Sequence, residues 1–285
     1  MIKTDTEGII IKGIGGQYTV DTPKGRFVCN ARGLFRKKKQ VPLVGDKVYI
    51  KIDGKTGMLM EILPRLNELR RPSTANVDCV IIVLAAAQPD LHFVMLDRYL
   101  MLAEHESIEA AICVNKEDLN NNIPENVRVI YEPIGYPVFI LSCVSGTGFD
   151  VFLNYLHNKT TVLAGPSGTG KSSIINYITK GNHKTGSVSE KIGRGKHTTR
   201  HAELIPVIPM GYIIDTPGFS SLEPPKIPLP ERAGLFKEFR PWLGQCKFRD
   251  CLHNSENGCA VKNQIGKTIN PLRYARYIEY IQSTD

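Results

Sequence analysis

The rhythm of hydrophobic and polar positions changes twice along the 285 residues. Up to residue 64 the apolar positions come in short bursts separated by glycine-rich turns. Ile9-Ile10-Ile11 leads to Gly13 and Gly15-Gly16, then to Tyr18 and Val20, then to Phe27 and Val28, before the basic stretch Arg36-Lys37-Lys38-Lys39. Val48, Ile50 and Ile52 alternate with Tyr49 and Lys51, the period of a strand with one buried face. Several short strands with Gly-rich turns predict a small barrel of the OB type, and an SH3-like barrel fits the composition as well.

From about residue 75 the runs become continuously apolar, as in parallel strands covered on both faces. Cys79 to Leu84 is the first, followed by Ala110–Val114, Val138–Leu141, Thr161–Ala164 and Tyr212–Ile214. Helical spacing fills the intervals, for example Met95–Glu104 and Ser172–Thr179, so a doubly wound α/β domain is predicted. The cluster Glu223-Pro224-Pro225, Pro228 and Pro230 punctuates its end. The final stretch, 224–285, reads as helical. The expected organisation is therefore an OB-type barrel over 1–64, an α/β domain over 65–223 and a helical module over 224–285.

Composition alters this picture little. A 42% hydrophobic, 22% charged chain is that of an ordinary globular protein. No apolar window is long enough to span a membrane, and the first residues do not read as a signal peptide, so a cytoplasmic protein without a membrane partner is expected. An odd count of seven cysteines argues for thiols and metal ligands over a disulfide framework. Charge is more informative once divided. Residues 1–64 carry 12 Lys/Arg and 6 Asp/Glu, a net of +6; residues 65–223 carry 14 and 16, a net of −2; residues 224–285 carry 10 and 6, a net of +4. Basic flanks around a near-neutral centre fit a hold on a polyanion, most plausibly nucleic acid, although surface lysine is common in itself.

The central segment carries nucleotide chemistry. Gly165-Pro166-Ser167-Gly168-Thr169-Gly170-Lys171-Ser172, followed by Ser173, has the form G-x-x-x-x-G-K-[ST] between a predicted strand and a predicted helix. Glycines there let backbone N–H groups close around phosphates at the positive end of a helix dipole. Lys171 is expected on the β- and γ-phosphates and the Ser172 hydroxyl on Mg²⁺. Asn115-Lys116-Glu117-Asp118, after the strand Ala110–Val114, has the N-K-x-D form. An aspartate at that place accepts from guanine N1–H and the exocyclic amine, whereas adenine offers no such donor pair. Ser142-Cys143-Val144 follows the next strand and suits a loop supporting the base. Asp215-Thr216-Pro217-Gly218 fits D-x-x-G, with Asp215 on Mg²⁺ through water and the Gly218 N–H sensing γ-phosphate. Between them, Gly193 to Arg200 reads as the first switch, with a threonine, Thr199 in preference to Thr198, completing the Mg²⁺ shell.

Two further features complete the reading. In ordinary GTPases the P-loop comes first and N-K-x-D late; here N-K-x-D precedes the P-loop, so the motifs are circularly permuted. Cys246, Cys251, His253 and Cys259 have the spacing C-x4-C-x-H-x5-C. Three thiolates and an imidazole complete a tetrahedral shell for one structural Zn²⁺, with a chance cluster or an iron–sulfur site as alternatives. A module with few large apolar residues is expected to need such a staple. Cys29, Cys79, Cys113 and Cys143 lie in or beside predicted strands and read as small buried residues.

The permuted motif order, the OB-like front and the Cys/His tail together resemble the ribosome small subunit-dependent GTPase A family, over essentially the whole chain. The resemblance implies a monomeric GTPase that binds the small ribosomal subunit late in its assembly and is stimulated by it. It also favours zinc and points to His197, on the first switch, as a catalytic residue beside Lys171. Many GTPases place a glutamine after the D-x-x-G glycine to orient the attacking water; here Phe219 stands there, so slow intrinsic turnover is expected. On this reading the barrel, with Arg36–Lys39, and the C-terminal module, with Lys237, Arg240, Lys247, Arg249, Arg273 and Arg276, contact ribosomal RNA. Phe219 equally permits a regulatory module that uses GTP as a latch. A P-loop kinase is disfavoured by Asn115–Asp118.

Overall fold

The computed structural model describes residues 5–31, 35, 40–70, 73–120, 122–180, 202–207, 211–215 and 227–283. The chain divides into two compact units, one made of Met1–Ile81 with Gly148–Ser221 and the other of Ile82–Thr147 with Leu222–Asp285.

The first unit opens with a five-stranded barrel: β1 (Asp5–Ile14), β2 (Gln17–Thr22), β3 (Gly25–Ala31), β4 (Lys47–Asp53) and β5 (Thr56–Ile62). Strand order is β1-β2-β3-β5-β4, and β4 returns to pair antiparallel with β1, which closes the barrel. The β3–β5 pair is parallel and the rest antiparallel, as in an OB barrel. Ile10, Val20, Cys29, Val48, Ile50 and Leu59 are fully buried inside it. Alternation predicts that Ile10 and Ile11 face opposite sides, yet both are buried. A register shift between Ile10 and Lys12 explains this, because a bulge inserts one residue and bends β1 enough to serve both β2 and β4. Gly15 and Gly16 both have positive φ, 59° and 85°, which is what a two-residue hairpin turn between β1 and β2 requires.

Past the barrel, β6 (Glu68–Arg70) and β7 (Ser73–Ala75) form a short hairpin. It is bound back to the barrel by the Arg65–Asp46 ion pair at 2.7 Å and by Asn76 Nδ2 donating to the Gly45 carbonyl at 2.9 Å. Gly45, with φ of 93°, has no alternative, since a Cβ there would lie 2.0 Å from the Ala75 carbonyl oxygen.

Strand β8 (Cys79–Ala85) begins in the first unit and ends in the second, and is buried along its whole length. The first unit continues with helix α3 (Phe149–Leu156), β11 (Thr160–Ala164), helix α4 (Lys171–Lys180), β12 (Glu203–Pro206) and β13 (Tyr212–Asp215). Strands β11 and β13 are parallel, as expected of the continuous apolar runs, while β12 is antiparallel to β13 and to β1. The sequence did not predict β12, for four residues ending in proline are too short to display a period. Phe149 stacks on Tyr177 at 3.9 Å between ring centroids, which packs α3 on α4.

The second unit holds the rest of β8, helix α1 (Phe93–His105), β9 (Glu109–Asn115), helix α2 (Asn122–Tyr131) and β10 (Val138–Ile140), in strand order β10-β9-β8 with β9 and β10 parallel. Its C-terminal part is less regular than the helical reading. It consists of 3₁₀ stretches at Leu229–Leu235, Lys237–Trp242 and Lys262–Gln264, then helix α5 (Pro271–Gln282). Pro228, Pro230 and Pro241 withhold the donors a long α-helix needs. Helix α5 starts cleanly because Asn270 accepts from the Leu272 N–H at 2.9 Å and Pro271 occupies the first position. This part also has a core that composition understated. Phe236, Phe239, Val261 and Tyr277 are fully buried, and Met101 of α1 joins the same cluster. Among the described residues no helix is long and apolar enough to cross a membrane.

Candidate functional site

Each nucleotide motif leaves the C-terminal end of a parallel strand, where ligands bind in open α/β sheets. In the first unit, Gly165–Ser172 connects β11 to α4. Gly165, Gly168 and Gly170 have φ of 132°, 84° and 94°, values that side chains resist and that turn successive N–H groups inward. Thr169 is buried and its hydroxyl donates to the Pro166 carbonyl at 3.1 Å, which fixes the loop's waist. Lys171 Nζ donates to the carbonyls of Gly165 and Pro166 at 2.6 and 2.7 Å. Burial lowers its pKa from the usual lysine value, and an anion in the loop would raise it again. Ser172 is half-buried and Ser173 exposed, both in the first turn of α4, whose N–H groups lack intrahelical partners. Asp215 is the last residue of β13. His197, Thr199, Gly218 and Phe219 lie outside the described residues, as do Arg36–Lys39.

In the second unit, Asn115 ends β9 almost fully buried, and Lys116 follows in the left-handed region with φ of 61°. That turn aims Lys116 Nζ at the Gln88 carbonyl, to which it donates. Glu117–Leu119 form a 3₁₀ turn that leaves Asp118 exposed. The fully buried Ser142 organises the neighbouring loop. Its hydroxyl donates to Asp118 Oδ1 at 2.6 Å and accepts from the N–H groups of Val144 and Ser145, each at 3.2 Å. One carboxylate oxygen is thereby pinned and the group stays oriented to receive a pair of donors. The Cys143 thiol donates to Asn115 Oδ1 at 3.7 Å. Burial, and then the nearby Asp118 charge, raise its pKa, which keeps it a neutral thiol at pH 7. Gln88 was not legible as part of this arrangement, since nothing local in the sequence marks it.

Cys246, Cys251, His253 and Cys259 converge, with all their ligand atoms within 4.8 Å of one another. Cys246 Sγ lies 3.9 Å from Cys259 Sγ, and His253 Nδ1 lies 3.5 and 3.4 Å from those two sulfurs. A tetrahedral zinc with Zn–S of ~2.3 Å and Zn–N of ~2.05 Å requires edges of roughly 3.8 and 3.6 Å. The donor set therefore fits one zinc ion and leaves no room for an iron–sulfur cluster. Supporting groups complete the cradle. The Ala260 and Lys262 N–H groups point at Cys246 and Cys259 sulfurs, at 3.3 and 3.4 Å. Glu256 accepts from the Leu252 and Asn254 N–H groups at 2.7 and 2.8 Å, bracing a loop in which His253 has φ of 59°. Tyr274 and Tyr277 of α5 donate to the carbonyls of His253 and Leu252 at 2.7 and 2.8 Å.

The same unit contains a buried charge cluster, which holds Arg273 and Arg276 inside the protein and not on the RNA contact that the sequence predicts for them. The Asp97 carboxylate on α1 receives Arg273, Arg276 and the Tyr131 hydroxyl, and Arg273 also reaches Glu238, with Nε 2.7 Å from Oε1. Burial works against the charge on Arg273, but Asp97 and Glu238 more than offset it and the net shift is upward.

Comparison with known proteins places this geometry in context. A sequence model described as RsgA GTPase matches residues 62–225, and one described as RsgA N-terminal domain matches residues 7–59. The small ribosomal subunit biogenesis GTPase RsgA of Clostridium perfringens strain SM101 is 46% identical over 280 residues, covering 97% of each chain. Its counterpart from Alkaliphilus metalliredigens is 45% identical over 285 residues, covering 97% of this chain and 96% of that one. Among solved structures, YloQ, a circularly permuted GTPase, superposes with a TM-score of 0.82 at 37% identity, over 98% of this chain and 94% of that one. YjeQ from Thermotoga maritima gives 0.84 at 33% identity, over 98% of both chains.

Proposed function

The chain belongs to the RsgA GTPase family, a family of GTP hydrolases, and from that premise we propose that it acts in the biogenesis of the small ribosomal subunit. In this reading it binds the subunit and its rRNA as a cytoplasmic monomer, and hydrolyses GTP to GDP and phosphate faster when bound. The barrel and the basic C-terminal module supply the RNA contacts, in keeping with their charge and with the nucleic-acid affinity of OB barrels.

The pinned Asp118 carboxylate carries the nucleotide part of the proposal. A base with two adjacent donors satisfies it, and a base without them leaves it unpaired. Asn115, Lys116, Glu117, Ser142 and Cys143 shape the base site, while Gly165–Ser173 receives the phosphates and Lys171 neutralises them. When present, Mg²⁺ supplies charge stabilisation to the β- and γ-phosphate oxygens, and Ser172, Thr199 and Asp215 are the residues that would hold it. Lys171 meets the charge that develops on the leaving oxygens, and His197 orients the attacking water. Phe219 cannot share that task, which fits a hydrolytic site completed only on the partner. Cys246, Cys251, His253 and Cys259 hold a structural zinc that fixes the loop before α5. The proposed division remains 1–64, 65–223 and 224–285.

The test is GTP turnover by the protein alone, with purified small subunits, and with large subunits. Stimulation by small subunits alone supports the proposal. Equal rates in all three would leave the second reading that Phe219 permits, a GTP-latched binding module.

A further inference from the structure

The barrel is wired to the strand that carries the D-x-x-G aspartate. Strands β1 and β12 pair at Lys12 opposite Glu203, and the same two side chains form an ion pair with Nζ 2.9 Å from Oε2. Glu203 is in turn opposite Asp215 in the β12–β13 ladder. At the other end of that hairpin the Tyr212 hydroxyl donates to Asp21 on β2 at 3.0 Å. The second neighbour of β13 is β11, which runs directly into Gly165–Ser172. Consecutive ladders β1–β12–β13–β11 thus join the barrel to Asp215 and to the P-loop within one unit.

Chain order sharpens the point. The Gly193–Arg200 segment immediately precedes β12, and the D-x-x-G segment begins with the last residue of β13. Both segments therefore attach at the same end of one hairpin, the end where Lys12 reaches across from the barrel. Lys12 supplies a cation to Glu203 across the β1–β12 ladder. With side chains 40% and 45% exposed, this pair adds little to stability, so its value is as a connection.

We propose that Lys12 and Glu203 are positioning residues that transmit occupancy of the barrel through β12 to the hydrolytic site. The inference rests on the proposed stimulation by the small subunit. An RNA that moves β1 moves Glu203 with it, and the paired backbone at Asp215 follows.

The experiment compares wild type, K12E, E203K and the swap K12E/E203K, each with and without small subunits, recording kcat, KM for GTP and subunit affinity. Each single reversal is expected to lower the subunit-stimulated kcat two- to fivefold, the range an exposed ion pair can supply, with KM for GTP unchanged. The swap is expected to restore it. If Lys12 served merely to attract RNA, E203K would not lower the rate and the swap would not rescue K12E; either result overturns the inference. The uncharged variants K12M and E203Q guard against misfolding, and stimulation at the wild-type level in both would also overturn it. Wild type that small subunits fail to stimulate would sink the proposed function together with this inference, an outcome distinct from stimulation that ignores the pair.

Discussion

Replacing Asp97 by asparagine removes one charge from a cluster that has no access to water. The Asp97 side chain is 3% exposed and those of Arg273 and Glu238 are 1% and 2% exposed. The substitution keeps the shape but leaves Arg273 with Glu238 alone, takes from Arg276 the carboxylate it bonds, and turns a new N–H toward existing donors. Breaking a buried pair by removing one partner costs about 3–5 kcal/mol. A unit of this size loses roughly 2–4 °C of melting temperature per kcal/mol, so Asp97→Asn is expected to lower it by about 6–20 °C. The loss should be local first. Hydrogen exchange at Tyr274–Gln282 of α5 is expected to accelerate more than exchange in the barrel strands, because Arg273 and Arg276 anchor that helix to α1. The exposed Arg128–Glu132 pair is the control, and Glu132→Gln is expected to cost no more than about 1 kcal/mol. A melting temperature for Asp97→Asn within 2 °C of wild type, with unchanged exchange in α5, would refute the reasoning.

Three more outcomes follow from the sites. Asp118→Asn exchanges one acceptor for a donor and is expected to weaken GTP binding about 100-fold, from the loss of one hydrogen bond to a charged group, while improving binding of xanthosine triphosphate, whose C2 carbonyl accepts from the amide; titration with both nucleotides decides it. Lys171→Ala is expected to weaken GTP binding at least tenfold and to abolish turnover, measured by fluorescence titration and phosphate release. The purified protein is expected to hold one zinc that Cys251→Ser loses. Burial pushes the Cys251 thiol up to about 12 and raises Cys259 as well, so the metal must displace protons and its affinity should rise with pH; chelator competition between pH 6 and 8 showing no such rise would count against thiolate ligation.

What was legible in the sequence was local. Asn115–Asp118, Gly165–Ser172 and the four Cys/His ligands announce themselves because a single loop must place several groups at fixed spacing. Long apolar runs such as Ala110–Val114 revealed buried parallel strands, because a strand covered on both faces is apolar throughout. A small barrel was readable from its short strands, with the OB type expected and an SH3-like barrel still open, but the burial of both Ile10 and Ile11 was not, because a bulge overrides alternation. Strand β12 escaped notice because four residues carry no period. The connections that tie elements together were hidden by distance along the chain: Lys12 and Glu203 are 191 residues apart, and Asp97 and Arg273 are 176 apart. Nothing near any of these residues marks its partner. The C-terminal core was undervalued because its aromatic residues lie in separate irregular stretches that show no period, yet they converge on one point with Met101 of α1.

The permuted order of the motifs follows from where each motif sits. A phosphate loop works because it leaves a strand end and enters a helix N-terminus, and a base-selecting loop works because a neighbouring strand end holds its aspartate in place. Each requirement is met inside a single strand–loop element, at β11 with α4 in one case and at β9 with β10 in the other. No step of either requires that one be synthesised before the other. What chain order does decide is which segments become neighbours along the backbone. Placing the P-loop after N-K-x-D puts β12 and β13 late in the chain, so the D-x-x-G segment runs directly into the C-terminal part while β12 pairs with the first strand of the barrel. In the usual order those positions would lie within the interior of the domain sequence. Permutation thus leaves the nucleotide chemistry untouched and connects the segments around it to both flanking modules, the arrangement expected of a GTPase whose turnover is set by what those modules hold.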